Sequence, residues 1–150
     1  MVLRARVTSY GGLPRVHISS TEITPGPPIY FPVSDIANTG WTGVPNNTSL
    51  YDDIDEAVPS DSDYIVSGPV DINYPITFEL SSAVPASTTL INIRARRTKE
   101  VGELRCVFLN ASNSIVGTSP WITLTNTFAN YPLNATTTDT ATRIRLEVRQ

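Results

Sequence analysis

Thr88-Thr89-Leu90-Ile91-Asn92-Ile93-Arg94-Ala95-Arg96-Arg97 is the stretch on which the fold turns. From Ile91 onward apolar and polar residues alternate, with Ile91, Ile93 and Ala95 on one side and Asn92, Arg94 and Arg96 on the other. A period of two is the signature of a half-buried β-strand. Arg143–Arg149 repeats it, setting Ile144, Leu146 and Val148 against Arg143, Arg145, Glu147 and Arg149. Leu104–Leu109 alternates as well, and the short Thr98–Gly102 connection predicts a hairpin that pairs it with the strand before it. Further strands are expected at Asp63–Ser67, Pro75–Ser81, Ile115-Val116, Trp121–Thr125 and Thr127–Leu133. Turns at Gly68-Pro69, Val84-Pro85-Ala86 and Asn110–Asn113 separate them. One short helix fits Leu50–Ala57: Thr48 or Ser49 can cap it, Asp52 and Asp53 suit its first turn, and Pro59 ends it. Seven or eight short strands spaced by turn residues predict an all-β fold, an antiparallel β-sandwich. Room for eight strands favours a jelly-roll-like arrangement, and the missing Cys…Trp…Cys pattern argues against a true immunoglobulin domain. The residues alone do not separate the two topologies.

Upstream, Leu3–Thr8 and Leu13–Ser19 alternate around Gly11-Gly12. Pro25-Gly26-Pro27-Pro28 and Pro32 follow. With this proline load, Glu22–Asp35 is expected to form neither a helix nor a central strand. Residues 1–37 therefore read as an extended, proline-rich N-terminal arm that needs a surface to lie on. Residues 38–150 read as the β-sandwich domain.

A length of 150 residues suits one domain, and 40% apolar residues can build its core. The longest apolar runs, such as Ile29–Val33 and Cys106–Leu109, fall far short of the roughly 20 residues that span a bilayer, so no membrane partner is expected. The start Met1-Val2-Leu3-Arg4 lacks the apolar run of a signal peptide. The expectation is a chain made in a cytoplasm-like compartment, where its Asn-x-Ser/Thr triplets are chance. A single cysteine allows no internal disulfide, and one histidine, one lysine and one cysteine leave little catalytic equipment. Cys106, inside an alternating run, reads as a small buried hydrophobe. A non-enzymatic protein is expected.

The formal charge of −3 conceals a strong segregation. Residues 1–15 hold three arginines and no acid, residues 16–93 hold ten acids and no lysine or arginine, and residues 94–150 hold eight lysines and arginines and four acids. Such segregation can pair basic strands with acidic loops inside one subunit, or set the basic end of one copy against the acidic middle of the next.

Among the acids, Asp61 and Asp63 have the alternation of a calcium loop, but the EF-hand glycine and terminal glutamate are missing. They are weak metal candidates, and no cofactor is expected. No carboxylate pair stands out for glycoside hydrolysis, and no nucleophile elbow or phosphate loop is present. Trp41 and Trp121 read as core plugs rather than as a sugar platform. Tyr10, Tyr30 and Phe31 in the arm, with Arg4, Arg6 and Arg15, are the candidate partner-binding residues, because aromatics outside a core make good interface anchors. No nucleic-acid partner is expected on charge grounds: three arginines are few, and the acidic middle repels phosphate.

Several segments then carry a resemblance. They are Gly40-Trp41, Leu50-Tyr51-Asp52-Asp53-Ile54-Asp55-Glu56, Asp63-Tyr64-Ile65, Phe78-Glu79-Leu80-Ser81 and Pro85. Ile93-Arg94-Ala95-Arg96-Arg97, Leu124-Thr125 and Ile144-Arg145-Leu146-Glu147-Val148 complete the set. In order and spacing they resemble small β-sandwich virion proteins of tailed bacteriophages, such as capsid decoration (cement) proteins and minor head or tail proteins. The resemblance covers roughly residues 40–150 and transfers no functional residue. It implies a virion location, binding to the major capsid protein and to copies of itself, often as a homotrimer, and an arm that grips neighbours. The alternative expectation is a carbohydrate- or receptor-binding module of a phage tail or head fibre, with a host glycan as its partner.

Overall fold

The computed structural model describes residues 16–24, 30–44, 49–54, 64–67, 75–98 and 102–149. Eleven strands appear in them: β1 (Val16–Thr24), β2 (Pro32–Asn38), β3 (Thr42–Val44), β4 (Tyr64–Val66), β5 (Ile76–Val84), β6 (Thr88–Arg97), β7 (Glu103–Leu109), β8 (Ile115–Thr118), β9 (Ile122–Thr123), β10 (Ala129–Thr136) and β11 (Ala141–Arg149). The one helical segment among the described residues is a 3-10 helix, Leu50–Asp53. One sheet has the order β10-β6-β1-β4-β3; the other has β2-β5-β11-β7-β8, with β9 also pairing to β7. Every pairing is antiparallel. The chain is all-β.

The inward sets read from the period of two are the observed core. Ile91, Ile93 and Ala95 of β6 join Ile76, Phe78 and Leu80 of β5, Leu104, Cys106 and Phe108 of β7, and Ile144, Leu146 and Val148 of β11. These side chains come from both sheets and form one hydrophobic cluster, which Trp41 also enters. Burying each large apolar side chain contributes about 1.5–3 kcal/mol.

Two expectations are corrected here. First, β6 and β7 do not form a hairpin. β6 lies between β10 and β1, while β7 lies between β11 and β8 in the other sheet. A tight hairpin that kept both apolar faces aligned would set Arg105 opposite Arg94 or Arg96, and like charges directly opposite destabilise a sheet. Against β11 the register instead sets Arg105 opposite Glu147 and Glu103 opposite Arg149.

Second, the expected arm does not stand apart from the domain. β1 is an inner strand, paired to β6 on one side and β4 on the other, and β2 ends the second sheet by pairing with β5. β1 carries no proline and stops at Thr24, just before Pro25. Pro32 opens β2, an end strand, where a missing N–H leaves no ladder bond unmade. Pro132 is tolerated in β10 for the same reason, since β10 ends the first sheet. The expected strand at Leu3–Thr8 and the turns at Gly11-Gly12 and Gly68-Pro69 lie outside the described residues.

The expected helix Leu50–Ala57 is shorter than its pattern. The 3-10 helix ends at Asp53 with Ile54 as its C-cap; residues 55–57 lie outside the described residues. Ser49 occupies the N-cap position but makes no side-chain capping bond. The Asp35 carboxylate of β2 does the capping instead, accepting the backbone N–H groups of Leu50 at 2.7 Å and Tyr51 at 2.9 Å.

The chain crosses from β2 in one sheet to β3 in the other at a corner closed by Asn38. Its side-chain oxygen accepts the Trp41 N–H at 2.9 Å, and its amide N–H donates to the Trp41 carbonyl at 3.0 Å. Gly40 adopts φ 76° between them, a conformation that favours glycine.

Candidate functional site

The outer face of the six-stranded sheet gathers most of the described ion pairs. β11 points Arg143, Arg145, Glu147 and Arg149 outward, opposite to its core residues, and β7 points Glu103 and Arg105 the same way. Glu147 is the centre of the group, with a side chain only 5% exposed. Its Oε2 accepts from Arg105 Nε at 2.7 Å and lies 2.6 Å from Arg105 Nη2; its Oε1 lies 2.8 Å from Arg145 Nε. Arg149 donates to Glu103 at 2.6 Å. Arg143 donates to Glu79 of β5 at 2.9 Å and to Asn113 Oδ1 at 2.6 Å, which ties the β7–β8 turn to the sheet.

That turn is itself shaped by asparagine. Asn110 Oδ1 accepts the N–H groups of Ser112 and Ser114, each at 3.0 Å, and Asn113 adopts φ 62°. Asparagine tolerates this left-handed conformation better than other residues with a Cβ.

Trp121 reaches the same face through a bulge. Val107 pairs with Thr118 and Leu104 with Ile122, so Ser119, Pro120 and Trp121 stand opposite only Cys106 and Arg105. The Ser119 N–H still donates to the Cys106 carbonyl at 2.9 Å, and Ser119 Oγ accepts the Cys106 N–H at 2.9 Å. Pro120 has no N–H to offer, and the extra residue re-aims the next side chain. The Trp121 ring therefore meets the guanidinium groups of Arg105 at 4.5 Å and Arg149 at 4.2 Å from its centroid. Each such contact is worth about 0.5–2 kcal/mol depending on solvent access. Trp121 is thus half-buried under arginines and not the core plug expected of it, whereas Trp41 is one. On the other sheet, Phe128 lies under Arg94 at 5.6 Å and Arg96 at 4.7 Å.

The candidate residues named from sequence fare unevenly. Arg4, Arg6, Tyr10, Arg15, Asp61 and Asp63 lie outside the described residues. Tyr30 is 3% exposed and belongs to the hydrophobic cluster, so its ring is not offered to a neighbour. It is buried because the segment thought to be an arm delivers it to the sheet β2 enters. Phe31 is half-buried, and its backbone N–H donates to Ser81 Oγ at 3.1 Å. Cys106 is fully buried, as read, and burial pushes its thiol well above the ordinary range, so it stays protonated and unreactive. Among the described residues no group of three or more His, Cys, Asp and Glu side chains could hold a metal ion. No helix among them is long and apolar enough to cross a membrane.

Compared with known proteins, the chain matches no family model, no curated protein and no solved structure. The resemblance to phage virion proteins gains no support from those comparisons.

Sequence reasoning missed the bulge at Trp121 and the cap from Asp35, as well as the ion cluster around Glu147. Pro120 signalled the first, since a proline inside a strand marks an edge or a bulge. Nothing local signalled the second, because the carboxylate comes from another strand.

Proposed function

We propose that this chain is a non-enzymatic structural protein of a phage virion, a capsid cement protein that binds the major capsid protein and copies of itself. In this reading the two sheets form a jelly-roll-like sandwich and residues 1–15 supply the basic attachment segment. The observation that carries the structural role is how the described reactive side chains are used. Glu147, Glu103 and Glu79 hold arginines across strands, Asp35 caps a helix, and the one thiol is sealed in the core. A carboxylate tied into a cross-strand ion pair positions strands rather than protons.

The fibre reading needs an aromatic ring open to a sugar. Each described tryptophan and tyrosine is buried, packed against the core or stacked under arginine. That observation favours the cement reading over the glycan-binding one.

The test is attachment. Density-purified particles from a lysate of the source culture are expected to contain the chain at a fixed ratio to the major capsid protein, measured by quantitative mass spectrometry. Full-length protein added to particles stripped of it should rebind, and protein lacking residues 1–15 should not. Absence from purified particles overturns the reading; rebinding by the shortened chain overturns the role given to residues 1–15.

A further inference from the structure

We draw no further inference here: the strongest candidate, the β2 edge of the six-stranded sheet, where the register against β5 shifts at Val33 and Ile36 and both side chains are exposed, carries nothing because nothing in the structure shows what covers it.

Discussion

Glu147 shows how much can hang on one side chain. Its carboxylate is buried, yet two guanidinium groups from different strands converge on it, Arg105 at 2.6 Å and Arg145 at 2.8 Å. Removing one member of a buried ion cluster leaves the others desolvated without their counter-charge. The two arginines are partly open to water, which softens the penalty. Glu147→Gln is therefore expected to destabilise the fold by about 1–3 kcal/mol, read as a lowered midpoint in urea. Cys106 gives a pH signature. The folded thiol stays protonated because burial raises its affinity for the proton, while the unfolded thiol ionises near 9.0. Above that pH the unfolded state has lost the proton and the native state has kept it, so stability falls as pH rises. The slope for one group approaches about 1.4 kcal/mol per pH unit. Cys106→Ala is expected to be less stable at pH 7 but to lose less between pH 9 and 10, measured by urea unfolding at each pH. An equal loss in both proteins would remove Cys106 from the account.

At the scale of elements, the 3-10 helix depends on a strand that precedes it by 15 residues. Asp35→Ala removes the acceptor for two backbone N–H groups and is expected to lower stability by about 1 kcal/mol or somewhat more, with Asp35→Asn losing less. A larger loss for Asn than for Ala would count against capping. β3 meets the same helix at Gly43, where an added Cβ would run into the buried Asp53 carboxylate and come within 3.1 Å of Leu50 Cδ2. Gly43→Ala is expected to cost about 1–3 kcal/mol through overpacking, visible as a drop in the thermal midpoint. These links explain what could be read in advance. The inward faces of β6, β7 and β11 were legible because a period of two is written in each strand by itself. The partner of β7 was not, because the decision lies in Arg105 meeting Glu147, 42 residues away. The Asp35 cap was hidden for the same reason: it is a contact between elements, and local sequence records only the vacancy it fills. Trp121 was misplaced by a one-residue bulge, since a single insertion turns every later side chain to the opposite face.

For the whole molecule, the place of β1 decides what a truncation means. Read along the chain, residues 1–37 look detachable because prolines crowd their second half. In the sheet, β1 is the strand between β6 and β4, and the short β3 is joined to the sheet through β4. Removing β1 therefore breaks two ladders at once and leaves β4 and β3 without a connection to β6. A domain is stable by only about 5–15 kcal/mol in total, and loss of an inner nine-residue strand exceeds what that margin can absorb. A chain starting at Val16 keeps the eleven described strands and is expected to unfold cooperatively, with Trp41 in the core giving a native near-ultraviolet signal. A chain starting at Pro25 is expected to lose that signal and the cooperative transition. The comparison also guards the attachment experiment: only the cut before Val16 separates loss of binding from loss of fold. If the chain starting at Pro25 melts cooperatively at an unchanged temperature, β1 is dispensable, and the reading of residues 1–37 as an arm laid on a complete domain is restored.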